Sequence, residues 1–143
     1  MDLEDDATIF GLSLALLAVA YAIGRVVGPK VTKCETDEQR RKQRAWILTL
    51  ISSVVCGAHG VFFLGRVIKY GFGHEFSRGE TVADRRVALF FLAYCIADLA
   101  TGALDYIDEI DYQSGWAHHS FYGIGLCVLL YRKHTHFFMA GLI

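Results

Sequence analysis

The stretch VALFFLAYCIADLATGALDYI, residues 87–107, decides how this chain must be read. Its 21 residues are almost all apolar, yet an aspartate, Asp98, stands twelfth among them. A helix crossing about 30 Å of hydrocarbon needs roughly 20 mostly apolar residues. This segment is therefore expected to span a membrane with a carboxylate close to its midplane. Working outward, Trp46–Ile68 and Ala7–Gly28 are apolar blocks of 23 and 22 residues. Trp116–Tyr131 adds a shorter block of 16, and a fifth apolar run begins at His136. The expected fold is an all-α transmembrane helix bundle with about four complete spans plus the start of a fifth. Because that fifth run stops at Ile143, a longer natural chain is expected.

Composition agrees with this segregation. Hydrophobic residues make up 54% of the chain and charged residues 20%, and the charges gather between the apolar blocks. A net charge of −1 therefore carries no nucleic-acid signal. The run Arg40-Arg41-Lys42-Gln43-Arg44 lies between two spans and reads as a cytosolic flank, since basic residues accumulate on the cytoplasmic side. That places the amino terminus, with Asp2, Glu4, Asp5 and Asp6, on the opposite side. The first block lacks the basic leader and short apolar core of a signal peptide. Residues 1–44 thus form one unit, an N-terminal transmembrane helix and a basic cytosolic loop, and 45–143 a second. The cysteines Cys34, Cys56, Cys95 and Cys127 occur singly, without disulfide or zinc spacing.

Polar residues inside the apolar blocks are the candidates for function. Ser52, His59 and Arg66 recur every seven residues, drifting only about 20° per step and so sharing a helix face. Tyr94, Asp98, Thr101 and Asp105 share another at spacings of four, three and four. His118-His119 opens the next block, with Tyr122 one turn on. An aspartate at a helix centre costs about 2.5–3.5 kcal/mol to insert, so these faces are expected to turn inward. Adjacent imidazoles sit about 100° apart around a helix. One can act as base or nucleophile while the other orients it or a substrate. Six histidines are present, but no histidine box, H-E-x-x-H, phosphate loop or nucleophile elbow accompanies them. No metal and no cofactor are expected.

Three features occur in the order used by the TLC domain proteins, the membrane family that includes the ceramide synthases. These are Ser52-Ser53 with His59 after Trp46 and a basic flank, Tyr94-Cys95-Ile96-Ala97-Asp98-Leu99, and Asp111 shortly before His118-His119. Residues 45–143 resemble that domain, and the short loops resemble the small TLC domain-containing proteins. The acidic motif found downstream of the pair in ceramide synthases is absent here. The resemblance implies a lipid-accessible helix bundle in the endoplasmic reticulum membrane. It also implies transfer of an acyl group from acyl-CoA to a sphingoid base or other lipid. His118 and His119 would be catalytic, with Asp98 supporting them and His59, Tyr94, Asp111 and Tyr122 contacting substrate. Expected partners are membrane lipids and acyl-CoA, with self-association left open and nucleic acid excluded. Two other classes stay open: a non-enzymatic lipid-binding or trafficking protein, and a proton or ion pathway through the same Asp and His residues.

Overall fold

The computed structural model describes residues 3–141, in which every regular element is helical: α1 (Leu3–Val31), α2 (Asp37–Tyr70), α3 (Phe72–Ser77), α4 (Val82–Asp105), α5 (His118–Arg132) and α6 (His136–Ala140). A 3₁₀ turn, Ile107–Glu109, and a π-helical turn, Tyr112–Ala117, join α4 to α5. Three helices are long and apolar enough to cross a membrane, covering Glu4–Val31, Asp37–Tyr70 and Val82–Asp105. The fourth apolar stretch forms the 15-residue α5, about 22 Å long at 1.5 Å per residue. Alone it does not cover a 30 Å core. The fifth run begins as α6, and its last residues, 142 and 143, lie outside the described part.

The helices extend past the apolar blocks because their ends are capped and paired. Charged residues 37–44 join α2 through a reciprocal capping box between Thr36 and Gln39. Ion pairs Arg40–Asp37 and Lys42–Glu38 lie on the same turns. Such caps satisfy backbone N–H groups that the helix start leaves without partners. Thr81 and Asp84 form a second capping box at the start of α4. Gly71 and Gly79, at φ +86° and +78°, bracket α3 in conformations that side-chain-bearing residues rarely adopt.

α4 is the central helix. It runs parallel to α1, since Arg85 bonds Asp6 at one end while Asp105 accepts from Tyr21 at the other. It runs antiparallel to α2, as the Thr49–Tyr94 and His59–Asp84 contacts show, and to α5, as the Tyr94–His119 and Arg85–Leu130 contacts show. One apolar cluster joins Leu17, Leu48, Phe90 and Tyr94; the other joins Phe63, Leu89, Leu126 and Met139. The outer faces stay apolar and uncovered. Only 17% of the most apolar window of α1 is buried, leaving Leu12, Leu16, Val19 and Ile23 pointing outward. A water-facing helix would present its polar residues there, whereas a lipid-facing one presents such a surface.

Candidate functional site

Polar residues of the apolar blocks separate into two groups along α4. Asp84 and Asp98 are fourteen positions apart on this helix, about 21 Å at 1.5 Å per residue. Asp98 also lies nearer one end than the spacing of the apolar block suggested. Only seven residues, about 10 Å, separate it from the α4 terminus at Asp105.

Around Asp98 lies a cavity of about 370 Å³, lined by α2, α4, the turns after α4 and the first residues of α5. It brings together Asp98, Tyr94, Asp111, His118 and His119, five of the seven candidate residues. His119 Nδ1 is 3.1 Å from Asp98 Oδ2, an ion-pair distance without the alignment of a hydrogen bond. Its Nε2 lies 3.4 Å from the Tyr94 hydroxyl, which is in turn 3.2 Å from Thr49 Oγ1. The His119 ring stands edge-on to Tyr94. The residue is 8% exposed, whereas its neighbour His118 is exposed and stacks beside Tyr122, ring centres 4.6 Å apart. One imidazole is thus held among polar partners inside the bundle, and the other faces the cavity mouth.

Sequence reasoning missed Tyr106. Its hydroxyl donates to Asp98 Oδ1 at 2.8 Å and sits 2.9 Å from Thr101 Oγ1, and the side chain is 1% exposed. An aromatic at the end of an apolar block reads as a membrane-interface anchor, so nothing in the pattern marks it as a partner of Asp98. Ile110 was likewise silent. It wedges between Gly102 and Gly115, where an added Cβ would lie 1.8 Å and 2.2 Å from Ile110 side-chain carbons. This contact holds the π-helical turn against α4, and the turn feeds directly into His118. π-helical segments recur at functional sites. Asp111 caps the turn, accepting from the Gln113 and Ser114 backbone N–H groups at 2.9 Å each. The Ser114 backbone hydrogen bond, helped by its hydroxyl and by Gln113, holds the exposed Asp111 carboxyl below the ordinary range.

His59 belongs to the other group. Its Nε2 is 3.0 Å from Asp84 Oδ1, so the structure does not bring it to the cavity. Asp84, fully buried, also receives Arg66 and Arg78, at 3.2 and 3.0 Å, and the Thr81 backbone N–H. Both arginines bond Glu75 as well, at 3.1 and 2.7 Å. Next to this cluster, Arg85 chelates Asp6 and bonds Glu80, which accepts from Thr135. Tyr122 also stands outside the polar cavity. It lines an apolar pocket with Phe121, Leu126 and Phe138.

Among known proteins, no family model, no curated sequence and no solved structure matches this chain. Its own geometry must carry the functional reading. Among the described residues, no three His, Cys, Asp or Glu side chains converge as metal ligands. The groups that line the cavity are two imidazoles, a buried carboxylate and two phenols, side chains able to donate or accept protons.

Proposed function

We propose that this chain is a multi-pass membrane protein of lipid metabolism, TLC-like, resident in the endoplasmic reticulum. It transfers an acyl group from acyl-CoA to a sphingoid base or another lipid acceptor. The observation that carries this reading is the position of His119 between Asp98 and Tyr94 at the wall of the polar cavity. Asp98 beside Nδ1 favours the tautomer with its proton there, leaving Nε2 as the base. As the acceptor nitrogen or oxygen bonds to the thioester carbonyl, its proton passes to Nε2. When the C–S bond breaks, that proton passes to the departing thiolate, and the imidazole is restored. His118, at the mouth, orients the incoming acceptor. The basic α1–α2 connection lies at the same end as the cavity, which supports an approach of acyl-CoA from the cytosol.

The test is transfer of labelled acyl groups from acyl-CoA to sphingoid base or lysophospholipid by purified protein. His119→Ala is expected to lose roughly 10²–10⁴-fold, the usual contribution of a positioned acid–base group. His118→Ala is expected to lose less. Equal product from all three proteins removes the catalytic assignment. One observation favours a lipid-binding protein without turnover: both His119 nitrogens face protein partners. That reading expects co-purifying lipid, no product, and histidine substitutions that act only on stability.

A further inference from the structure

His119 borders two spaces. Besides the polar cavity, it closes one end of a lateral groove of about 530 Å³ between α4 and α5. Beyond His119, the groove walls include Leu92 and Ile96 on one side and Gly123, Ile124, Cys127 and Val128 on the other. Ser120 to Val128 covers eight residue steps of α5, about 12 Å, most of the hydrocarbon depth of one leaflet. Glycine at 123 makes room for the groove: a Cβ there would meet nothing nearer than Leu92 Cδ1, at 3.8 Å. Ile96, Ile124 and Val128, on its rim, are exposed on the same apolar surface that the bundle turns outward.

We infer that this groove binds the hydrocarbon chain of a membrane lipid, entering sideways from the bilayer, with its polar end at His119. A polar cavity and an apolar groove that meet at one side chain match the two halves of an amphipathic molecule. A protein partner would be matched by an apolar face alone and would have no use for the junction. Transfer of apolar surface from lipid into such a groove gains little, so the head group at His119 selects the site and the groove sets which chain fits. Gly123 is one helical turn from His119 and Cys127 two turns. The first position therefore gates entry of the chain, and the second limits its length. The inference rests on the acyl-transfer reading only for the chemistry of the head group.

The experiment uses the full chain in phosphatidylcholine nanodiscs containing a small fraction of phosphatidylcholine with a diazirine near the tip of one acyl chain. Cross-links are mapped by mass spectrometry. Labelling of residues 92–99 and 120–128 is expected several-fold above that of Leu12, Leu16 and Val19, which face outward on α1. Gly123→Phe is expected to bring groove labelling down to the α1 level. Cys127→Trp, at an exposed position that tolerates a larger side chain, is expected to abolish labelling by a long chain and spare a short one. Labelling no greater than on α1, no response to Gly123→Phe, or equal responses of long and short chains to Cys127→Trp would overturn the inference. So would cross-links between two copies of the chain through this face. Absence of acyl transfer with the groove still labelled defeats the enzymatic reading alone, and transfer with an unlabelled groove defeats this one alone.

Discussion

The two ends of α4 solve the same problem in opposite ways. Each places an aspartate inside an apolar bundle, and each supplies it with partners. At the Asp84 end, two arginines, a histidine and a backbone N–H surround a fully buried carboxylate. At the Asp98 end, the partners are a histidine and a phenol, and the carboxylate faces a 370 Å³ cavity. Charge compensation is nearly complete at the first end and left partial at the second. A carboxylate matched by two guanidinium groups has little left to offer a ligand, whereas one matched by a phenol hydrogen bond can still polarise the imidazole beside it. The first end is a clasp that closes the bundle, and the second is the end to which the proposed acyl transfer is assigned.

The most severe way to break that contrast is to remove the clasp's carboxylate. Asp84→Ala leaves the part-buried Arg66 and Arg78 with only Glu75 between them and deletes the α4 capping box. Loss of one partner from a buried ionic network typically costs about 3–5 kcal/mol. The variant is expected to fall by that amount in denaturant unfolding from micelles, with activity lost only in proportion to folded protein. Should Asp84→Ala stay as stable as the parent while losing turnover, the two ends would have to exchange roles.

Tyr106→Phe is the smaller counterpart at the cavity end. It removes the hydroxyl that donates to Asp98 Oδ1 and touches Thr101, and it keeps the ring in the core. A single hydrogen bond of this kind is worth about 1.5–3 kcal/mol when its acceptor is charged. The expected stability loss therefore sits below that of Asp84→Ala. Turnover is expected to suffer more than stability does, with kcat falling while KM changes little, because Asp98 then holds His119 less firmly. Parallel losses in kcat and stability would demote Tyr106 to a packing residue.

How much of this was legible from sequence depended on whether the signal was periodic. The three long apolar helices followed from length and hydropathy, and their boundaries were missed by several residues because capping boxes at Thr36 and Thr81 carry the helices into charged sequence. That Asp98 and Tyr94 share a site followed from their common helix face, and the meeting with His119 from the expectation that costly polar groups turn inward. The removal of His59 from that group did not. Seven-residue spacing places Ser52, His59 and Arg66 on one face, but it also spreads them over about 21 Å of helix, so the lower and upper members meet different neighbours. Their partners Glu75 and Asp84 come from a glycine-rich connection with no periodicity to read. Tyr106 and Ile110 act through irregular turns after α4, where position depends on tertiary contact alone.

The smallest expected effect concerns pH, and it separates the two ends without touching the cavity. Burial pushes the Glu75 carboxyl upward, but hydrogen bonds and charge from Arg78, then Arg66, outweigh it and hold the group below its ordinary value of 4.5. A carboxylate whose folded-state value is depressed contributes stability at all pH above the unfolded value, and that contribution disappears as pH falls through the folded one. The contribution of Glu75 to the clasp should therefore be constant above about 4.5 and begin to be lost below it. Glu75→Gln keeps the shape and discards the titrating group. Its thermal midpoint in micelles should start lower than that of the parent, and the gap should narrow as the solution is acidified below that point. A gap that stays constant from neutral to acid pH would mean that Glu75 is not ionised in the folded clasp. The two arginines would then be compensated by Asp84 alone, and the contrast between a charge-matched end and a charge-poor end would lose one of its two acids.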